Sequence, residues 1–136
     1  MVSVLFDSNI VIDQTLGIVE AAEELAAYDD AALSVITWME ATVKLDAAAI
    51  AKFDQRLAGA GIRIIHTNDP IMRLASQLRN TSGKKLPDCI IRATALYEGR
   101  IVVTRNPGDF GGLLACHVPY EMVNGKIINV RPPLHH

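Results

Sequence analysis

Short runs of apolar residues alternate along the chain with longer segments in which apolar positions recur at helical spacing. The run at residues 2–6 predicts a short, fully buried strand, and runs at 32–37, 62–67 and 101–104 predict three more. Strands that alternate with helical segments are typical of βαβ units with right-handed crossovers. The pattern therefore predicts an α/β fold with a central, mainly parallel sheet.

The segments between these strands carry helix and turn signals. Helices are predicted over 17–28, over 38–59 with a break near Asp46, from Asn68 or Asp69 to about Asn80, and from Pro87 to Gly99. Residues 81–85 predict a loop, residues 105–112 a cluster of turns, and residues 113–117 a short helix. Near the end of the chain, Asn124-Gly125 lies between apolar runs, which is a strong signal for a type I′ hairpin.

Length and composition narrow the class of protein. The chain has 136 residues, which fits a single domain over 1–136, with 119–133 as a C-terminal strand or hairpin extension. Half of the residues are hydrophobic, which argues against disorder, but no apolar run approaches the ~20 residues of a membrane span. The N-terminus lacks the pattern of a signal peptide. Cys89 and Cys116 match no metal or redox spacing, so we expect a reduced, cytoplasmic protein, and we assign no role to His135 and His136.

Charge is distributed unevenly along the chain. Residues 1–54 contain ten acidic and two basic residues, whereas residues 55–136 contain five acidic and eleven basic residues. The two halves carry −8 and +6, which sum to the net charge of −2. Such asymmetry favours a polyanion or an acidic partner on one face, although scattered solvated charges would give the same count.

Acidic residues follow the predicted strands. Asp7 ends the first strand, Glu40 lies in the first turn of the helix after the second, and Asp109 follows the fourth. Asp88 begins the helix that leads into the fourth strand, and topology alone does not decide at which sheet edge it lies. Each acid also has an ordinary structural explanation as a helix cap, a first-turn charge or a turn residue. Ligands of an open parallel sheet bind beyond the carboxyl ends of its strands, where several of these acids should meet.

Acidic side chains that meet in one cleft need a partner. Two like charges ~4 Å apart repel by about 4 kcal/mol at an effective dielectric near 20, so either some acids stay protonated or a divalent cation neutralises them. Oxygen ligands without nearby histidine or cysteine favour one or two Mg²⁺ or Mn²⁺ ions. Asn9 and Thr104 are candidates for polar support around the ligands. Such a centre activates water for attack on a phosphodiester.

Basic residues surround the sequence near Asp88. Arg79, Lys84, Lys85 and Arg92, together with Arg105, are candidates for binding a nucleic-acid backbone. The alternative is ordinary solvation, with a local ion pair between Asp88 and Arg92 at i,i+4. Asp13, one helical turn after Asn9, is interpreted as a surface or local polar contact rather than a metal ligand.

Four motifs resemble those of a known family. In order and spacing, "LFDSNIVID", "TWMEATV", "LPDCIIRATAL" and "VVTRNPGDF" are similar to the motifs of PIN-domain ribonucleases, most closely to the bacterial VapC-type toxins of toxin–antitoxin pairs. The resemblance implies a three-layer α/β/α fold, a homodimer, and an antitoxin whose tail covers the cleft. It matches Asp7, Glu40, Asp88 and Asp109 to four acids that hold one or two Mg²⁺ or Mn²⁺ ions for cleavage of single-stranded RNA. It matches Ser8, Asn9, Thr104 and Asn106 to polar residues beside those acids.

The sequence thus predicts a Mg²⁺- or Mn²⁺-dependent endoribonuclease, the toxin of a toxin–antitoxin pair. The alternative is a non-catalytic RNA-binding or assembly module with a PIN-like fold. A haloacid dehalogenase-type hydrolase is disfavoured because Asn9 stands where its second Asp would be. A receiver domain would need a strand-end lysine that "VVTRN" does not supply, and neither a G-x-G-x-x-G motif nor a P-loop is present.

Overall fold

A computed structural model describes residues 2–111 and 115–134. In chain order the elements are β1 (Ser3–Phe6), α1 (Ser8–Thr15), α2 (Val19–Leu25), β2 (Asp30–Ser34), α3 (Val35–Thr42), α4 (Ala47–Gly59), β3 (Ile62–Ile65), α5 (Asp69–Ser82), α6 (Leu86–Glu98), β4 (Ile101–Val103), a 3₁₀ helix (Pro107–Phe110), β5 (Cys116–His117), β6 (Glu121–Val123) and β7 (Lys126–Ile128). None of the helices described is long and apolar enough to cross a bilayer. The terminal His135 and His136 lie outside the described residues.

The first five strands form one sheet in the order β3-β2-β1-β4-β5, and every neighbouring pair is parallel. The chain moves outwards from β1 through β2 to β3, and then returns to β4 on the other side of β1. The predicted α/β class is therefore confirmed. The order reverses between β1 and β4, and a crevice opens at the carboxyl ends of strands at such a point.

Strand β1 is buried on both faces, so the core has two sides. Val4 and Phe6 pack with residues of α1, α2 and α4, among them Phe53, whereas Leu5 packs on the other face with α6 residues, including Ile91. All five of these side chains are almost completely buried. Helices on both faces of the sheet give the expected three-layer α/β/α arrangement.

Side chains that cap helices explain where several strands end and helices begin. The predicted second strand stops at Ser34 rather than residue 37, because the Ser34 hydroxyl accepts a hydrogen bond from the Ile36 amide at 3.1 Å and starts α3. The predicted break near Asp46 is confirmed, since Asp46 accepts from the Ala49 amide at 2.8 Å and starts α4. The helix predicted to start at Asn68 or Asp69 is α5, and it begins as predicted, with Asn68 as its cap.

The C-terminal part contains both a confirmed and a wrong prediction. The Asn124-Gly125 hairpin is confirmed: φ is 52° and 75° at these residues, as a type I′ turn requires, and they join β6 to β7. The predicted short helix over 113–117 is wrong for Cys116–His117, which form β5 beside β4. The first two residues of that predicted helix lie outside the described residues. The β-strand is favoured there because it completes the edge of the parallel sheet.

Candidate active site

Asp7 stands at the junction of β1 and α1. Its backbone amide donates to the Val103 carbonyl at 2.9 Å, so pairing of β1 with β4 continues to the carboxylate. Its Oδ1 accepts from the Ser8 amide at 2.7 Å and caps α1. The side chain is nevertheless buried. Asp7 therefore acts as a helix cap and also keeps a second carboxylate oxygen directed towards β4.

That second oxygen belongs to a polar network across the crevice between β1 and β4. Asp7 Oδ2 accepts from the Thr104 hydroxyl at 2.8 Å and from Asn9 Nδ2 at 3.1 Å. Asn9 Oδ1 accepts from the Arg105 amide at 3.2 Å, and Thr104 Oγ1 accepts from the Asn106 amide at 3.0 Å. The network joins the residue after β1 to the residues after β4, so the sheet itself fixes the orientation of Asp7.

The other three predicted acids lie on elements around this crevice. Glu40 is exposed on α3 and accepts from the Ser8 hydroxyl at 2.5 Å. It lies in the second turn rather than the first, because α3 begins three residues earlier than predicted. Asp88 is half-buried in the first turn of α6, and Asp109 is exposed in the 3₁₀ helix after β4.

The orientation of α6 shows at which edge of the sheet Asp88 lies, which the sequence alone did not decide. Helix α6 leads into β4 and returns the chain to the amino edge of the parallel sheet, so its first turn lies near the carboxyl edge. Asp88 therefore approaches the crevice from the α6 layer, while Glu40 and Asp109 approach it from other elements.

The electrostatics show that the four acids act on one another. Burial raises the pKa of Asp7, and the negative charges of Glu40 and Asp109 raise it further, although hydrogen bonds from Thr104 and Ser8 oppose the change. The pKa of Asp88 is raised to about 6, mainly by partial burial and then by repulsion from Asp109, Asp7 and Glu40, against the opposing charge of Lys85. All four carboxylates thus share one region of negative potential.

The carboxylates are neighbours without forming a closed coordination set. In the part of the chain that the structure describes, no group of three or more His, Cys, Asp or Glu side chains converges closely enough to hold an ion. The donor chemistry nevertheless suits a hard divalent cation, because the four acids offer carboxylate oxygen atoms. Their raised pKa values are also what uncompensated negative charge produces, and a bound cation would lower them.

The predicted basic residues have different surroundings. Arg79 donates from Nη1 to the carbonyls of Gly83 and Lys84 at 2.5 and 2.8 Å, so it closes the end of α5. Arg105 forms an ion pair with Asp13 at 2.7 Å. Lys85 is close enough to Asp88 to oppose the rise in its pKa. Among the described residues Arg92 forms no ion pair with Asp88, although their spacing on α6 would allow one.

Asp13 is the residue that the sequence interpretation described least well. It is buried rather than on the surface, and its Oδ2 accepts from both Arg105 Nε and the Tyr120 hydroxyl at 2.7 Å. Because Asn9 and Asp13 lie one turn apart on α1, the same helix face holds the backbone and the side chain of Arg105. The i,i+4 spacing of Asn9 and Asp13 indicated that both lie on one face of α1. It could not identify their partner, because Arg105 lies more than 90 residues away in the sequence.

The fold and the acidic crevice define an α/β protein with a candidate metal centre at the switch point of its sheet. The sequence model of the PIN domain matches residues 4–110, and the chain belongs to this family. The predicted resemblance to PIN-domain proteins is therefore confirmed. No curated protein sequence gives a significant match to this chain.

Solved structures give the same fold. A toxin–antitoxin complex from Klebsiella pneumoniae contains a chain that is 38% identical, with a TM-score of 0.75 and coverage of 88% of this chain and 100% of that one. FitAcB from Neisseria gonorrhoeae is 26% identical over 85% of this chain and 97% of its own, with a TM-score of 0.60. DNA-bound VapBC from Salmonella typhimurium is 18% identical over 86% and 98%, with a TM-score of 0.62, which supports the fold alone.

Proposed function

We propose that this chain is a divalent-metal-dependent endoribonuclease that acts as the toxin of a toxin–antitoxin pair. The observation that carries the proposal is the shared crevice of four acids, in which partial burial and then the neighbouring carboxylates raise the pKa of Asp88 to about 6. Uncompensated acids at a ligand-binding edge cost stability, and a function that requires a cation explains why they are there.

Asp7, Asp88 and Asp109 would hold one or two Mg²⁺ or Mn²⁺ ions, with Glu40 as the fourth acid. When bound, such ions activate water and stabilise the charge that develops on a phosphodiester. The chain's own contribution is orientation. Thr104 and Asn9 hold the Asp7 carboxylate at 2.8 and 3.1 Å, and Ser8 holds Glu40 at 2.5 Å. Asn106, whose amide donates to Thr104 at 3.0 Å, supports the same network.

Two lines of support favour RNA and an antitoxin as partners. The similar chain from Klebsiella pneumoniae was solved as a toxin–antitoxin complex, and it matches this chain over its whole length. Positive charge for an RNA backbone would come from basic residues of the second half of the chain, Arg79, Lys84, Lys85, Arg92 and Arg105, of which Arg79 and Arg105 also hold contacts within the protein. Cellular RNA as the substrate would place the activity in the cytoplasm, and the homodimer that the resemblance implies is part of the same proposal.

The test is cleavage of total RNA by the purified protein with Mg²⁺ or Mn²⁺, with the product ends mapped. We expect D88N to cleave RNA at least about a hundredfold more slowly than wild type, because the substitution removes the charge of a metal ligand while keeping the size of the side chain. The matched control is D69N, since Asp69 is exposed and forms an exposed ion pair with Arg73. Direct Mn²⁺ titration should show weaker binding to D88N than to D69N. Full cleavage by D88N would end the nuclease proposal.

A non-catalytic RNA-binding module is the second candidate. It is favoured by the absence, among the described residues, of three acids already arranged for an ion. This alternative predicts that the wild-type chain binds RNA but does not cleave it at millimolar Mg²⁺ or Mn²⁺. The cleavage assay separates the two functions directly.

A further inference from the structure

Two buried side-chain polar atoms have no hydrogen-bond partner among the residues that the structure describes, Thr37 Oγ1 and Arg92 Nε. They lie on α3 and α6, the helices that carry Glu40 and Asp88. A buried donor without a partner is unfavourable, so such an atom needs an explanation. For Arg92 the surroundings suggest one.

Arg92 lies one helical turn after Asp88, on the same face of α6. Side chains on a helix lean towards its N-terminus, so the long Arg92 side chain extends towards the edge of the sheet where the acids meet. Its Nη1 lies beside Gly111, 3.4 Å from the position that a Cβ atom there would take. Gly111 ends the 3₁₀ helix that carries Asp109. The guanidinium thus lies between the element of Asp88 and the element of Asp109.

The other arginines near the acids are already occupied. Arg79 binds two backbone carbonyls, and Arg105 binds the buried carboxylate of Asp13. Arg92 forms no ion pair within the described part of the chain, although it lies one turn from Asp88 on α6 and its Nη1 lies beside Gly111. A guanidinium has five donors in a planar fork, which matches the oxygen atoms of a phosphate better than a lysine does.

We propose that Arg92 is the arginine that binds an RNA phosphate next to the four acids. This inference rests on the proposed function, since it assigns one residue of the site to the substrate. The phosphate would accept hydrogen bonds from the terminal nitrogens of the guanidinium, and because Nε is buried, a bond to it as well would require the side chain to shift. The same contact would place the backbone of the RNA between Asp88 and Asp109, where cleavage is proposed.

Salt dependence measures the contact directly. RNA affinity would be measured in the D88N background, where no cleavage is expected, over a series of salt concentrations with a single-stranded RNA. Each phosphate contact contributes about −0.7 to the slope of log K against log salt for single strands. We expect D88N/R92Q to show a slope smaller by about 0.7 and an affinity lower by roughly 10- to 100-fold, the range for a charge-assisted hydrogen bond.

Two further variants isolate the role of the planar fork and the role of charge. R92K retains the positive charge but not the bidentate geometry, so we expect it to recover the slope and only part of the affinity. R63Q is the matched control, because Arg63 is exposed and forms only a long ion pair with Asp30, at 3.9 Å, near the amino end of the sheet. R63Q should leave both the slope and the affinity unchanged.

The result that would overturn the inference is an unchanged salt slope in D88N/R92Q together with a lower melting temperature, which would make Arg92 a structural support for the Asp109 segment. This outcome differs from failure of the nuclease proposal. If wild type cleaves RNA and R92Q cleaves it with the same KM, only the Arg92 inference fails. If wild type does not cleave, a reduced slope still supports the Arg92 contact.

Discussion

At the scale of single residues, Asp88 carries the clearest physical signature of the site. Its pKa is raised to about 6 from 3.8, mainly by partial burial and then by the neighbouring acids. Because the folded-state pKa is raised, ionisation of Asp88 opposes folding. The stability gained by protonation is complete below about pH 3.8 and is lost as the pH rises through 6.

We therefore expect D88N to be more stable than wild type at pH 8 in metal-free buffer, by about 1 kcal/mol after allowance for solvent screening. The difference should disappear near pH 4, where wild-type Asp88 is largely protonated. Urea denaturation with EDTA across this pH range measures both values. A D88N variant less stable than wild type at pH 8 would mean that the carboxylate is held by attractive rather than repulsive charges.

Thr104 supports Asp7 at the same scale. Its hydroxyl is buried, donates to Asp7 at 2.8 Å and accepts from the Asn106 amide at 3.0 Å. T104V keeps the shape and removes these two bonds as well as the one that the hydroxyl accepts from Asn9 Nδ2 at 3.1 Å, so we expect a loss of about 1–3 kcal/mol in unfolding free energy and weaker Mn²⁺ binding. The control is T81V, whose hydroxyl is exposed and bonds only to its own helix. Equal stability of T104V and wild type in urea would show that this network is dispensable.

At the scale of elements, α1 couples the segment after β4 to the C-terminal part of the chain. Asp13 accepts from Arg105 and Tyr120 through the same oxygen, while Asn9 accepts from the Arg105 amide. We expect D13N to lose about 2–3 kcal/mol in unfolding free energy, below the 3–5 kcal/mol of fully buried pairs, because Arg105 is partly exposed.

Urea denaturation of D13N and of the surface control D69N tests this coupling. Asp69 forms an exposed i,i+4 pair with Arg73, which contributes little. D69N should therefore remain within about 0.5 kcal/mol of wild type. Similar losses in both variants would contradict a special role for the Asp13 cluster.

Local signals predicted the elements better than they predicted contacts between distant segments. Ser34 and Asp46 are both caps, but only the break at Asp46 was recognised, because β-branched residues after Ser34 favour a longer strand. Strand order alone was enough to place three of the acids near the carboxyl edge of the sheet, Asp7, Glu40 and Asp109. The burial of Asp13 could not, because it depends on Tyr120, which is 107 residues away and reaches α1 only in the folded chain.

At the scale of the whole molecule, the acidic crevice links folding to cation binding. The described structure brings the four acids into mutual repulsion, and the energy that this costs is recovered if a divalent ion binds the native state and not the unfolded chain. An ion present at a hundred times its Kd would stabilise the fold by about 2.7 kcal/mol. Monovalent salt would only screen the repulsion between the acids, so it would stabilise the fold less than a bound divalent ion.

We therefore expect Mg²⁺ or Mn²⁺ to raise the melting temperature of the wild-type protein at pH 8 more than NaCl at the same ionic strength. In the D7N/D88N variant the divalent ion should raise the melting temperature little more than NaCl does, because two negatively charged ligands have been replaced by neutral amides. At pH 5 the wild-type shift should also shrink, since protons then compete with the ion for Asp88, whose pKa is about 6. Equal shifts with NaCl and Mg²⁺ at pH 8 would mean that the acids are only screened, and that folding does not build a cation site.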